Sequence, residues 1–181
     1  MDRHSGWPWE VVTKCGYFVV LRSHPAKGDV LNETTYGTPV EGRPSFVHTY
    51  TVACNLKGEV KATWGNGSSS WFSGFTYGPN RSEEDLTVIP RGTVRYEALS
   101  DDVEFVCLSP RRGGLVDQQD YYGSAIVPGK EDSYIVVLRG SVTIEGKRYG
   151  KLDAYHNDKG TDVTVESSPQ AFYVNVWRRL R

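Results

Sequence analysis

The chain has 181 residues, 21 Lys and Arg against 22 Asp and Glu, a formal net charge of −1 and 38% hydrophobic residues. That length folds without disulfide staples, as one large domain or as two small lobes sharing a core. The balanced charge argues against a broad electrostatic footprint for nucleic acid, and three scattered cysteines form no CxxC motif.

Cys54 and Cys107 lie inside apolar runs, and an odd cysteine count suits reduced, buried thiols such as these. No apolar run approaches the ~20 residues of a membrane span. The polar, Trp-containing start does not read as a secretory leader. The expectation is a cytoplasmic protein, or one assembled into a particle made in the cytoplasm, with no membrane or nucleic-acid partner.

Residues 1–15 read as an N-terminal arm carrying Trp7-Pro8-Trp9, whose indoles dock on the protein's own body or on a neighbour. Gly16–Arg22 reads as a strand. Pro25–Pro44, punctuated by Gly and Pro, reads as loops and short edge strands. Phe46–Leu56, Glu59–Thr63, Leu86–Ile89, Thr93–Leu99 and Val103–Leu108 are β-branched or aromatic and predict strands. The run Arg111-Arg112-Gly113-Gly114 marks a boundary. Tyr121–Val127, Ser133–Leu138, Ser141–Glu145, Thr161–Ser167 and Ala171–Arg178 predict further strands, the last alternating Phe172, Val174, Val176 with Tyr173, Asn175, Trp177. No stretch carries a helical stripe of useful length.

A signature occurs twice. Leu138-Arg-Gly-Ser-Val matches Leu56-Lys-Gly-Glu-Val, with Gly140 on Gly58 and Val142 on Val60, an offset of 82 residues. Gly160-Thr161 through Ser168 matches Gly92-Thr93 through Ser100, an offset of 68, so the first copy holds 14 surplus residues. Many short strands and a repeated signature predict an all-β sandwich or barrel with little helix, in two tandem lobes over 16–110 and 111–181.

These residues resemble the cupin superfamily of small jelly-roll barrels. Tyr134–Gly146, then Gly150-Lys-Leu-Asp153, then Lys159-Gly160-Thr161 is similar to the second half of the cupin pattern. Ile89-Pro90-Arg91-Gly92-Thr93 keeps the Pro-x-Gly turn in the first copy. The resemblance implies a metal held by several His and a Glu, but the position after that turn is Arg95 in the first copy and Val163 in the second. His48 is the one further ligand, so no metal and no cofactor is expected. Some cupins act on nucleotide sugars without metal, through a His base, an Asp and a Tyr. Asp153, Tyr155 and His156 stand close enough to suggest this, although in a strand Tyr155 and His156 face opposite ways and an ordinary polar turn is the preferred reading.

The surplus falls in residues 63–85, where Trp64, Trp71, Phe72, Phe75 and Tyr77 alternate with Gly, Ser and Asn before Arg81. That mixture suits a contact surface, although the same rings could close a barrel or pair as a hairpin. Two readings of function follow. The first is a non-catalytic protein that works through contacts, as a homo-oligomer or accessory subunit of a larger assembly, a viral decoration or structural protein among the options. The second is a small-molecule binder or metal-independent enzyme for a sugar-type ligand, with His48, Arg95, Tyr96, Tyr155 and His156 as pocket candidates.

Overall fold

The computed structural model describes residues 7–34, 52–64, 69–73, 76–77, 93–110 and 116–178, and among them every regular element is a strand. The chain divides into two compact units, Met1–Val12 with Val19–Gly113, and Thr13–Phe18 with Gly114–Arg181. The first nine strands are β1 (Trp9–Lys14), β2 (Phe18–Ser23), β3 (Val30–Thr34), β4 (Val52–Lys57), β5 (Glu59–Trp64), β6 (Ser69–Ser73), β7 (Thr76–Tyr77), β8 (Thr93–Ala98) and β9 (Glu104–Pro110). The remainder are β10 (Val116–Tyr122), β11 (Ala125–Val127), β12 (Ser133–Arg139), β13 (Val142–Ile144), β14 (Lys147–Tyr149), β15 (Ala154–Asn157), β16 (Val163–Ser167) and β17 (Phe172–Arg178). No helix among the described residues is long and apolar enough to cross a membrane.

Sheet order runs β1-β2-β9-β4-β7 and β3-β8-β5-β6, then β10-β17-β12-β15 and β11-β16-β13-β14. The last two orders reproduce the first two strand for strand once β1 is set aside. The register repeats as well. In the central pair β4–β9, Val52 opposes Leu108 and Cys54 opposes Val106, with a bulge between Asn55 and Lys57. In β12–β17, Tyr134 opposes Val176 and Val136 opposes Val174, with the bulge between Val137 and Arg139. Offsets of 82 and 68 residues carry one ladder onto the other, bulge included.

The twice-occurring Gly and Ser show why. Gly58 and Gly140 have φ of 80° and 74°, a left-handed conformation that costs glycine little and other residues more. The next amide in each copy donates to a serine hydroxyl, Glu59 N to Ser100 Oγ at 3.0 Å and Ser141 N to Ser168 Oγ at 3.1 Å. A Cβ on Gly140 would come within 2.8 Å of that hydroxyl, and one on Gly58 within 2.8 Å of Val103 Cα. Each glycine therefore turns one central strand into its hairpin while the serine pins the turn.

Each unit has its own core. Trp7, Trp9, Leu31, Val60, Tyr96, Val103 and Phe105 form the first. Val127, Ile135, Val137, Val142, Ile144, Val163, Val165 and Tyr173 fill the second. Of the two dockings expected for the N-terminal indoles, Trp7 and Trp9 take the one on the protein's own body. Residues 9–14 are a strand, Trp7 is 2% exposed, its ring meets Phe105 edge-on at 5.3 Å, and its Nε1–H donates to Asp29 O. Two indoles surrounded by Tyr96 and Phe105 gain more from the core than from water.

Several elements depart from the sequence expectation. The strand expected over Tyr121–Val127 is broken at Gly123, where φ is 75°, so β10 and β11 enter different sheets. β14 and β15 follow Glu145-Gly146 and Gly150–Asp153 where sequence suggested turns. The surplus stretch is not wholly an excursion either. β6 lies on β5, with Phe72 opposite Val60, and β7 lies on β4. These are the counterparts of β14 and β15, and β5–β6 is the hairpin that sequence offered as one reading of this stretch. Phe46–Thr51, Leu86–Ile89 and Arg111–Leu115 lie outside the described residues.

Replacing Trp7 by Ala is expected to lower the first unit's stability by about 3–5 kcal/mol, the usual result of emptying an aromatic core position. Urea unfolding followed by near-UV circular dichroism would show it; an unchanged midpoint would mean that the indole is not a core group.

Candidate functional site

Directly opposed residues of an antiparallel sheet share a face, so the β12–β15–β17 register sorts the second unit's side chains. Ile135, Tyr155 and Asn175 are mutually opposed and face the side of Val137 and Tyr173, the core. Tyr134, His156 and Val176 are opposed on the other face. The Tyr134 and His156 rings consequently stack, 4.4 Å apart and 8° from parallel. Continuing the register past Tyr134↔Val176 brings Asp132 beside Arg178 on that same face.

Asp132 is where the contacts converge. It has φ of 52°, which Asp tolerates better than most residues. Its Oδ1 lies 2.6 Å from His156 Nε2, and its Oδ2 lies 3.7 Å from Arg178 Nη2, beyond hydrogen-bond range. The Tyr17 hydroxyl donates to the Asp132 carbonyl at 2.6 Å and also lies 3.2 Å from Val176 O. The Arg178 guanidinium sits 4.7 Å over the Tyr17 ring. Gly16 N donates to the Tyr134 hydroxyl at 2.9 Å, and Thr13 Oγ1 donates to Leu152 O at 2.7 Å. The turn 13–18 is therefore built into this unit by hydrogen bonds from Thr13, Gly16 and Tyr17.

The loop before β12 is held just as closely. Gly129 N donates to Asp162 Oδ1 at 2.8 Å, and a Cβ at Gly129 would overlap the Gly160 carbonyl oxygen. Asn157 Nδ2 donates to Thr161 O at 2.8 Å. Against this support, Lys130, Glu131, Asp132, Trp177 and Arg178 line a cleft of about 400 Å³. The Lys130 ammonium lies 4.9 Å from the Trp177 ring centre. Two cations, two carboxylates and one indole thus face a single open space.

Burial pushes the Tyr17 phenol well above its usual range, assisted by the Asp132 charge and opposed by Arg178. Burial raises Tyr134 too, with the Gly16 amide acting the other way. Tyr173, whose hydroxyl donates to Gly123 O at 2.7 Å, is pushed by burial to about 12.

The sequence-chosen residues do not gather in this cleft. His156 joins it only through Asp132. Tyr155 faces the core side, its ring edge-on to Tyr149 and its hydroxyl 3.5 Å from Glu145 Oε1. In the first unit Tyr96 is buried among Trp7 and Phe105, while the neighbouring Arg95 is exposed and pairs with Glu97 at 3.2 Å. Val163, at the position where the resemblance puts a ligand, is a core residue. His48, Phe75 and Arg81 lie outside the described residues; Trp64, Trp71, Phe72 and Tyr77 are placed as strand backbone only. Among the described residues, no group of three His, Cys, Asp or Glu could hold a metal. Sequence reasoning missed Lys130, Asp132, Trp177 and Arg178. The signal for the last two was the edge of the final alternating strand; Asp132 sat in an ordinary polar turn.

No protein-family model matches the chain, and no curated protein matches it by sequence. Among solved structures it is similar to HutD from Pseudomonas fluorescens SBW25, with a TM-score of 0.60 at 11% identity over 97% of this chain and 90% of that one. It is also similar to a cupin 2 conserved barrel domain protein from Leptotrichia buccalis, with a TM-score of 0.51 at 9% identity over 99% of this chain and 92% of that one. Likeness at these identities concerns the fold and leaves activity open.

A buried phenol raised above its unfolded value stabilises the fold below pH 10 and ceases to do so as pH climbs through its folded value. Stability should therefore decline from about pH 10 toward 12 as unfolded chains lose the Tyr173 proton first. Tyr173→Phe should flatten this decline in alkaline melting curves; an equally steep decline would place its origin elsewhere.

Proposed function

Since the chain has the cupin fold, we propose that it is a binding protein whose second unit takes a small polar molecule in the cleft between the 130–132 turn and the end of β17. The observation that carries this reading is the lining: four charged side chains and the Trp177 indole around about 400 Å³. That volume falls in the range of small-molecule sites, which combine an apolar wall with a few orienting polar groups. The frame is stiff because Tyr17, Gly129 and Asn157 fix the two turns by hydrogen bonds, so little ordering is left for a ligand to impose. A reading through protein contacts loses Trp7 and Trp9, which are buried in the first unit's core.

Screening small polar metabolites by thermal shift and by the Trp177 indole N–H resonance tests the assignment. At least one compound should raise the melting temperature and move that resonance, and Trp177→Ala should abolish the stabilisation. Stabilising compounds whose effect survives the substitution would put binding elsewhere in the chain.

A metal-independent enzyme is the second reading, and one contact favours it. His156 Nε2 within 2.6 Å of a carboxylate is the arrangement of a general base with the group that orients it. Among the described residues, the Tyr134 hydroxyl accepts from Gly16 N and keeps its own proton, while Tyr155 lies on the other face of the sheet. If the protein turns over any ligand found in the screen, His156→Gln should reduce the rate by about a hundredfold or more; an unchanged rate would remove the imidazole from the chemistry.

A further inference from the structure

Resting on the assignment of the cleft as a binding site, we infer that its ligand is a carboxylate monoanion with a flat or apolar body, held by Arg178 and Lys130 against the Trp177 wall. Arg178 lies over the Tyr17 ring at 4.7 Å. Its approach to Asp132, at 3.7 Å, is an attraction without a hydrogen bond. Side-chain exposures of 56% and 46% for that pair put it among the surface ion pairs that contribute little. The guanidinium is therefore held in place by a ring face while its N–H edge can turn to an oxyanion at small cost. A planar fork of donors matches carboxylate and phosphate oxygens in pairs.

Lys130 repeats the device on the other wall, its ammonium 4.9 Å from the Trp177 ring centre. Among the described residues, that ring is its one structural partner. Two cations resting on aromatic faces, with an open cleft beside both, supply the donors that one anionic group needs.

The carboxylates set the upper limit of charge. Glu131 and Asp132 line the same cleft, and Asp132 is fixed in place by His156 at 2.6 Å. A ligand carrying several negative charges would bring one of them against these carboxylates, where like charges repel. The same pair disfavours a nucleic-acid backbone, consistent with a net charge of −1 for the whole chain. The indole rewards a planar or apolar remainder by taking its surface out of water.

Four probes separate the possibilities: benzoate, inorganic phosphate, benzylamine and benzyl alcohol, each titrated into the full-length protein and followed by the Trp177 indole N–H resonance. Benzoate should bind at least tenfold more tightly than benzylamine or benzyl alcohol, and Arg178→Gln should weaken it roughly tenfold, the loss of one charge-assisted pair. Lys130→Gln should weaken it less. Phosphate binding as tight as that of benzoate would keep the anion and remove the flat body from the assignment. If benzylamine or benzyl alcohol binds as well as benzoate, or if Arg178→Gln leaves benzoate unchanged, the anionic class is wrong while the cleft stands. If no probe moves the resonance in a protein whose melting temperature is unaltered, both the class and the cleft assignment fall.

Discussion

The register of the central strand pair governs everything else in the second unit. β12 and β17 meet with Tyr134 on Val176 and Val137 on Tyr173, then shift by one residue at a bulge before Arg139. A one-residue slip would exchange the faces, carrying Tyr155 out of the core side and His156 into it. Gly140 and Ser168 prevent that slip. The glycine takes a φ of 74° to leave β12, and the serine hydroxyl holds the amide that follows. Because the same pair recurs as Gly58 and Ser100, the first unit keeps the same ladder, down to the position of its bulge.

From that register the cleft follows without special devices. Two residues past Tyr134↔Val176, the ladder ends with Asp132 entering and Arg178 leaving on one face. A strand end is where side chains can reach water while their backbone stays fixed. The turn 13–18 completes the arrangement, since Tyr17 ties down the Asp132 carbonyl and offers its ring to Arg178. Charged groups at the cleft are exposed, so each contact there is individually weak. What makes the site definite is the buried frame behind it, in which Val136, Val174 and Val176 are fully enclosed.

The two units put the same topology to different uses. In the second, a core of aliphatic residues and Tyr173 fills the space between sheets. In the first, four rings, Trp7, Trp9, Tyr96 and Phe105, stand among the core residues, and an extra strand, β1, extends one sheet. Large rings from the N-terminal stretch thus do in one unit what β-branched side chains do in the other. The likeness to solved cupin structures concerns the fold. It does not extend to ligands at Arg95 and Val163, one of which is on the surface and the other in a core.

Local sequence was enough to determine the all-β class, the doubled Gly–Ser signature and most strand centres. Those depend on period-two alternation and on glycines that must turn the chain, and both are properties of neighbouring residues. It also placed Tyr155 and His156 on opposite faces, because adjacent strand residues diverge whatever surrounds them. Only the tertiary structure decided that Trp7 and Trp9 belong to a core, that a serine-rich stretch forms β6, and that Asp132, Arg178 and Tyr17 meet. Tyr17 and Asp132 are 115 residues apart in sequence, and no pattern within either segment names the other. Juxtaposition over that distance is set by which strands pair, a choice made by the burial of whole faces and not by any single residue.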